Sequence, residues 1–475
     1  MKSSNFFAPP NVRRSSCALV LAALAVAFVS TPRAAHAQQT PQFGDRQRGD
    51  GREMLKTIKE GIEKNYYDSK FHGLDLDARF KAAEEKIKQA NSNNEIFGHI
   101  AAAMADLNDS HTYFLPPWRP ALVDYGWRMQ MVGDKCYVVD VAPGSDAAGK
   151  GLRVGDEVLA IDGYQPTREN FWKIRYVYYT LKPRAGMRLE VSSPAGEARQ
   201  LDVLGKVASA GSPFAKASKK ESAPPPPNHL SLGDLFVWKL AGFRAGEKEM
   251  KEIDEVMKKA RGHRAFVLDL RGNSGGAEKA LLRLTGYFFG QDVKLGDIKR
   301  RKGAKELVAK TRGAEQVYGG QLFVLVDSRS ASASEVFARV VQLEKRGTII
   351  GDRTAGAVMR GRVFGYTIAR GLVGTMTFIP YGAVITDADL TMKDGKSLEK
   401  TGVTPDELLL PTATDLAARL DPVLSRAASL AGVALEPARA GALFKAESKT
   451  QNDEPDADEG DEEDEEKEKE GKKPL

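Results

Sequence analysis

Residues 266–276 read FVLDLRGNSGG, a short and mainly apolar run followed by a glycine-rich turn. Such a run, bounded by a turn, is typical of a strand that is buried on both faces of a sheet. The alternation of strand and helix continues on both sides of it. We predict strands at 235–238, 266–270, 322–326 and 348–351, and helices at 247–261, 277–289 and 334–344. This alternation predicts an α/β domain over residues 229–435, with a mostly parallel sheet that is covered on its faces.

The bulk composition fits a globular chain of more than one domain. Its 475 residues are too many for a single core, and 42% hydrophobic and 28% charged residues are ordinary proportions. The net charge of +6 includes a nearly continuous acidic run at 453–470, so the rest of the chain is more basic than the total indicates. Because Lys and Arg are spread along the chain without a nucleic-acid-binding motif, we predict no nucleic-acid partner. The composition of residues 436–475 predicts an acidic disordered tail.

The first 37 residues have the features of a secretory signal peptide. Basic residues precede an apolar run at 17–29, and Ala35-His36-Ala37 offers the small residues that a signal peptidase requires. Since the run is short for a bilayer span, we expect export to the periplasm or the medium without stable membrane insertion. The mature chain would keep one cysteine, Cys136, which excludes an intramolecular disulfide.

Two regions with different patterns lie before the α/β domain. Residues 38–117 space their apolar residues as helices do and predict an N-terminal helical region. Residues 118–207 alternate short β-rich runs with glycine turns, and PGSDAAGKGLRVGD at 143–156 resembles the PDZ domain. A proline-rich linker is predicted at 208–228.

The PDZ resemblance implies that peptides bind by strand addition, with backbone N–H groups holding a C-terminal carboxylate. It assigns the carboxylate-binding loop to Gly126-Trp127-Arg128-Met129, which departs from the usual Gly-Leu-Gly-Phe type of loop. The alternative is a small β domain that only packs against the α/β domain.

The segment Ser330-Ala331-Ser332-Ala333-Ser334-Glu335 joins a predicted strand to a predicted helix. A hydroxyl on such a turn stands above the sheet at a helix N-terminus, where free N–H groups can stabilise a developing oxyanion. The alanines leave room for a substrate backbone. Ser332 is therefore a candidate nucleophile; the alternative is that the serines only cap the helix.

Together, the ordered motifs resemble the C-terminal processing, or tail-specific, protease family and its tricorn-type relatives. The resemblance covers about residues 52–410. It rests on DLRGNSGG at 269–276, SASASE at 330–335, GDRT at 351–354 and GVTPD at 402–406.

The resemblance implies a serine peptidase in which Ser332 is the nucleophile. The oxyanion hole would use the backbone N–H of Ala333 and that of a glycine in the pair Gly275-Gly276.

The general base departs from the lysine-using branch of the family, because Ala357 stands where that branch has its lysine. The tricorn-type branch has a Ser-His pair, which Ser110-His111 matches. In that branch the histidine is the general base, oriented by the serine and by a distant glutamate that Glu399 matches best. The alternatives are a helix-capping role for His111 and a surface position for Glu399.

Two functions stay open at this stage. The first is an exported serine endopeptidase that acts on protein or peptide substrates, whose tails the PDZ-like domain could recognise. The second is a catalytically inactive relative that binds peptides or other ligands, as the missing lysine and the atypical loop suggest. Serine chemistry needs no cofactor, and the histidines lack the spacing of metal ligands, so we expect neither a cofactor nor a metal. The sequence gives no signal for an oligomeric state.

Overall fold

A computed structural model describes residues 43–119, 121–209, 228–371 and 376–444. The signal peptide predicted at 1–37, most of the linker and the acidic run lie outside the described residues. Within the described ranges, no helix combines the length and the apolar character that a membrane span requires.

The N-terminal region is helical, as predicted, and ends in a short strand. Its elements are α1 (Asp45–Asn65), α2 (Leu76–Lys88), α3 (Asn93–Ala105) and β1 (Tyr113–Leu115). The carboxylate of Asp75 caps α2, and the hydroxyl of Ser92 caps α3. Met54, Ile58 and Ile62 repeat at helical spacing on α1 and are buried in one core with the other helices.

The next region is an antiparallel β domain with short helices. In chain order it contains β2 (Ala121–Asp124), β3 (Trp127–Val132), β4 (Lys135–Val141), α4 (Asp146–Gly149), β5 (Glu157–Ile161), α5 (Phe171–Tyr176), β6 (Gly186–Ser192), β7 (Ala198–Leu204) and β8 (Lys206–Ser209). Five strands form a sheet in the order β3-β4-β5-β6-β7, and β2 pairs with β8. Strand β3 is thus an edge strand of the five-stranded sheet.

The rest of the described chain contains the alternation read from the sequence. Its elements are β9 (His229–Leu232), β10 (Leu235–Lys239), α6 (Glu247–Ala260), β11 (Ala265–Asp269), α7 (Glu278–Thr285), β12 (Val293–Arg300), β13 (Ala304–Ala309), β14 (Gln321–Val326), α8 (Ala333–Leu343), β15 (Thr348–Gly351), β16 (Arg360–Arg370), β17 (Thr377–Met392), β18 (Glu407–Leu408), α9 (Ala413–Ala417), α10 (Pro422–Leu430) and α11 (Pro437–Ala440).

One sheet runs in the order β18-β15-β14-β11-β10-β9, and all its neighbours pair in parallel except β9 with β10. Helices α6, α7 and α8 cover one face, while α10 and α11 cover the other. Strand β11 is buried at every position, which explains why its sequence shows no polar alternation. The ends of β11 and β14 are neighbours, so the turns that follow them lie side by side.

A second sheet, which the sequence did not predict, is antiparallel. Strand β17 pairs with β1, β12 and β16, and β12 pairs with β13. It packs on the N-terminal helices through residues such as Ile385 and on the α/β core through residues such as Leu390. A single α/β unit over 229–435 is therefore too simple a description, because a stretch of this region pairs with β1, almost 270 residues earlier.

The start of the predicted tail, at residue 436, also differs from the structure. Helix α11 follows directly, and Ala440, Leu443 and Phe444 pack against the core under α10. The apolar residues before Phe444 are enough to hold this short segment on the sheet, whereas the acidic run begins later, outside the described residues.

Candidate active site

Ser332 occupies the turn between β14 and α8 with an unusual backbone conformation. Its φ is +52° and its ψ −119°, and its hydroxyl makes no cap hydrogen bond to the helix. A non-glycine residue at positive φ is uncommon, and such strain often marks a functional turn. Its N–H donates to Ala357 O at 2.7 Å and to Glu335 Oε2 at 3.1 Å. The hydroxyl is thus left for other chemistry while the backbone is held.

The two flanking serines have a different role, because they join the turn to the glycine-rich stretch after β11. Both are fully buried. Ser330 Oγ donates to Leu270 O at 2.8 Å, and Ser334 Oγ donates to Asn273 O at 3.0 Å. These bonds fix the serine turn against DLRGNSGG, so the two motifs form one unit.

The oxyanion-hole candidates differ in which N–H group is free. Gly275 N–H donates to the side-chain oxygen of Asn273 at 2.8 Å. Among the described residues, no hydrogen bond engages the N–H of Gly276 or of Ala333. Of the glycine pair, Gly276 is therefore the better donor toward an oxyanion beside Ser332.

Gly275 itself is required for close approach. A Cβ at this position would lie 2.6 Å from Ser332 Cβ, and its φ of +106° suits glycine alone.

Ser110, His111 and Glu399 lie in one hydrogen-bonded chain. Ser110 Oγ is 2.7 Å from His111 Nδ1 and donates to Glu399 Oε2 at 2.9 Å, while Ser110 N–H donates to Glu399 Oε1 at 2.9 Å. With the serine proton on the glutamate side, the serine oxygen accepts the Nδ1 proton of His111. That tautomer leaves Nε2 as a base.

Asp109 anchors this chain, and sequence reasoning gave it no role. Its buried carboxylate accepts from the backbone N–H of His111 at 2.9 Å and from the hydroxyl of Tyr66 at 2.7 Å. The hydroxyls of Thr112 and Thr386 also donate to it. The signal was its place in DSHT, directly before the Ser-His pair.

The hydrogen bonds around Ser332, the nucleophile side of the site, meet those around His111, the histidine side, at Ala357-Val358. Ala357 O accepts the Ser332 N–H, and the next N–H, that of Val358, donates to Glu399 Oε2 at 3.1 Å. In the described chain, Ser332 and His111 share no direct hydrogen bond. Catalytic hydrogen bonds are often long before substrate binds, so this geometry is compatible with a working pair.

Three pKa shifts distinguish the groups of the site. Burial lowers the pKa of His111, partly opposed by the charge of Asp109, so the ring is neutral at neutral pH. Burial raises the pKa of Glu399, opposed by N–H and hydroxyl donors from Val358 and Ser110. Burial also raises the pKa of Glu335 to about 7, against the hydrogen bonds that it accepts.

A cavity of about 80 Å³ opens beside Ser332. Its walls are mainly apolar, with charged residues among those that line it. The lining residues include the apolar Leu281, Ile298, Leu307 and Val336 and the charged Glu278 and Arg360.

The loop assigned to peptide binding is only partly a loop. Gly126 lies in a turn at φ +70°, but Trp127, Arg128 and Met129 lie in β3 and pair with β4. Trp127 is buried, and Arg128 forms an ion pair with Asp140 at 3.2 Å. The four residues therefore comprise a turn at Gly126 and the first three residues of β3, and their role in carboxylate binding stays a prediction.

Across the described ranges, no group of three or more His, Cys, Asp or Glu side chains could hold a metal ion.

Residues 237–409 match the model of peptidase family S41. The Tail-specific protease of Haemophilus influenzae is 26% identical over 300 residues, which are 59% of this chain and 41% of that protein. The chloroplastic C-terminal processing peptidase of Tetradesmus obliquus is 26% identical over 387 residues, 75% of this chain and 77% of that protein. The solved structure of mature CPAF aligns with a TM-score of 0.58 at 16% identity, over 78% of this chain and 94% of that one, and so shares its fold of mixed sheets and helices.

Proposed function

This chain belongs to peptidase family S41 and is a serine-type peptidase, and from that premise we propose that it is exported and that Ser332, with His111 as its general base, hydrolyses peptide bonds of protein or peptide substrates. The observation that carries the proposal is the continuous chain Glu399–Ser110–His111, joined to the serine turn through Ala357-Val358. An alanine at position 357 excludes a lysine base there, so the histidine has no competitor at that position.

The residues support a two-step acyl transfer. His111 Nε2 takes the proton of Ser332 Oγ as the oxygen attacks the scissile carbonyl, and the N–H groups of Ala333 and Gly276 stabilise the oxyanion. The imidazolium returns the proton to the leaving amine. Water then repeats the sequence on the acyl-enzyme, with His111 again as the base.

We also propose that the β domain over 118–207 is PDZ-like and recognises substrate tails. Strand β3 is an edge strand, and Trp127 and Met129 on it lie beside Ile174 and Tyr178 of the neighbouring helical segment. An edge strand beside a helix is the arrangement that accepts an added peptide strand. The signal peptide at 1–37 would deliver the protein to the periplasm or the medium.

A fluorophosphonate probe tests the nucleophile and the base without knowledge of the substrate. Wild type should be labelled, Ser332→Ala should not be, and His111→Ala should be labelled about 10⁴-fold more slowly. His263→Ala is the matched histidine control and should react as wild type does, because the ring of His263 contacts Phe236. Equal labelling of wild type and Ser332→Ala would refute the nucleophile, and unchanged labelling of His111→Ala would refute the base.

The second candidate is an inactive peptide-binding relative. It is favoured by the alanine at position 357 and by the absence of a direct Ser332–His111 hydrogen bond within the described residues. It predicts no labelling and no cleavage of casein by any form of the protein. Peptides with apolar C-termini should still bind, as measured by fluorescence anisotropy.

A further inference from the structure

Glu335 is a fully buried carboxylate that the proposed mechanism does not use. Its Oε1 accepts from the hydroxyl of Thr354 at 2.6 Å and from the N–H of Gly356 at 2.7 Å. Its Oε2 accepts from the N–H of Ala357 at 2.8 Å and from the N–H of Ser332 at 3.1 Å. Both oxygens are therefore saturated by donors.

No ion pair within the described part of the chain includes Glu335. Burying a carboxylate without a cation is costly unless hydrogen bonds replace its hydration. The four donors and the N-terminus of α8, where Glu335 is the third residue, supply that replacement. A capping role alone accounts only for the bond from Ser332 N–H, because the other three donors come from the segment 354–357.

The segment 354–357 is also bonded to the stretch that carries Glu399. Thr354 N–H donates to Val403 O at 3.1 Å, and Lys400 N–H donates to Gly356 O at 2.7 Å. The hydroxyl of Thr354, which donates to Glu335, accepts the Val403 N–H at 2.6 Å. Position 357 is followed directly by Val358, whose N–H holds Glu399.

We propose that Glu335 is a positioning residue that fixes the distance and angle between Ser332 and His111. The carboxylate of Glu335 accepts the backbone N–H of Ser332 and bonds to segment 354–357. That segment leads directly to Val358, whose N–H donates to Glu399, and Glu399 in turn binds Ser110 and orients His111. This inference rests on the proposed function, because it assumes that Ser332 and His111 react as a pair. The hydrogen bonds of Glu335 engage the backbone of Ser332 and the segment 354–357, and neither the hydroxyl of Ser332 nor the ring of His111.

The first test compares Glu335→Gln with Asp156→Asn. Glutamine keeps the shape of Glu335 but places an NH₂ group against at least one N–H donor, that of Gly356 on one side or those of Ala357 and Ser332 on the other, so the segment must shift. Asp156 is an equally buried carboxylate in the β domain, paired with Arg199, and its variant controls for the loss of a buried charge. We expect Glu335→Gln to lower kcat on labelled casein and the rate of fluorophosphonate labelling about 10²-fold, with KM within about twofold. Asp156→Asn should match wild type in the rate of fluorophosphonate labelling, which does not require the β domain to recognise a substrate tail.

The pH profile separates positioning from a purely structural role. In wild type, the acid limb of the labelling rate should contain the ionisation of Glu335 as well as that of His111. In Glu335→Gln only the histidine should remain, so the limb becomes less steep. A variant that is merely less folded would lower the whole profile and leave its shape unchanged.

A second pair of variants decides the matter if Glu335→Gln does not fold. Thr354→Val keeps the volume of the side chain and removes the hydroxyl, whereas Thr354→Ser keeps the hydroxyl. We expect labelling to fall about 10-fold in Thr354→Val and to be restored in Thr354→Ser.

The outcomes separate this inference from the proposed function. If labelling needs both Ser332 and His111 but Glu335→Gln labels within twofold of wild type, the positioning role is wrong and the peptidase mechanism stands. Equal rates for the two Thr354 variants would overturn it in the same way. If labelling does not depend on His111, the proposed base fails and the positioning role fails with it.

Discussion

Ser332 and His111 lie on two parts of the molecule that are held in different ways. The serine turn follows β14 and bonds to the turn after the adjacent strand β11, mainly through backbone groups and the hydroxyls of Ser330 and Ser334. The histidine follows α3, and its orientation depends on two carboxylates, Asp109 and Glu399. Glu399 lies 289 residues from the serine that it binds. The nucleophile is thus positioned mainly by groups at neighbouring strand ends, together with the nearby carboxylate of Glu335, whereas the base also depends on Glu399, a carboxylate from a distant part of the chain.

Apart from the loss of Ser332 or His111 themselves, the largest expected effect is on the histidine side. In Glu399→Gln, the amide NH₂ can face Ser110 Oγ and turn its proton toward His111 Nδ1, which stabilises the tautomer that protonates Nε2. We expect kcat to fall about 10³-fold. Replacing an aspartate that contacts a catalytic histidine directly by asparagine costs roughly 10⁴-fold. The loss should be smaller here because Ser110 lies between Glu399 and His111.

Casein hydrolysis and fluorophosphonate labelling would measure this effect. Glu407→Gln is the control and should be as active as wild type, since Glu407 is a partly exposed glutamate paired with Arg426. A Glu399→Gln protein with activity within twofold of wild type would mean that Ser110 alone orients the histidine.

The difference between the two sides also explains what the sequence could predict. Helix α8 and strand β15 follow from local patterns, and the structure confirms them within a residue. The Ser110-His111 pair was found only through a family resemblance, because nothing local predicts that it meets Glu399. The antiparallel sheet of β1, β12, β13, β16 and β17 was missed, since its pairing depends on contacts across almost 270 residues. The role of Asp109 was missed for the same reason: its partners Tyr66 and Thr386 are distant in sequence.

On the nucleophile side, Glu335 accepts the N–H of Ser332, and its effect on stability should depend on pH. Burial raises its pKa from 4.5 to about 7, so between these values the folded protein holds a proton that the unfolded chain has released. The stabilisation is complete below pH 4.5 and is lost as the pH rises through 7. A shift of this size corresponds to about 3 kcal/mol of unfolding free energy.

Urea unfolding of wild type and of Glu335→Gln across pH 4.5–8 would measure this pH-dependent contribution to the unfolding free energy. The unfolding free energy of wild type should fall relative to that of the variant as the pH rises, because glutamine does not ionise. A constant difference across this range would show that Glu335 has the same pKa in both states. If the difference changes as expected, the ionised form needed for positioning is the less stable one, which is a common compromise at catalytic sites.

The smallest expected effect on stability distinguishes the serines within one turn. Ser330 Oγ accepts from Asp327 N–H at 3.0 Å and donates to Leu270 O, so Ser330→Ala removes the acceptor of the part-buried Asp327 N–H and one of the donors to Leu270 O. This should lower the unfolding free energy by about 2 kcal/mol. Ser332→Ala removes a hydroxyl that holds no part of the turn, so stability should stay within about 0.5 kcal/mol while turnover is abolished. Urea unfolding followed by tryptophan fluorescence would measure both. Equal destabilisation by the two variants would mean that the hydroxyl of Ser332 also supports the fold. The positive φ of Ser332 would then result from packing and not from a turn that presents a nucleophile.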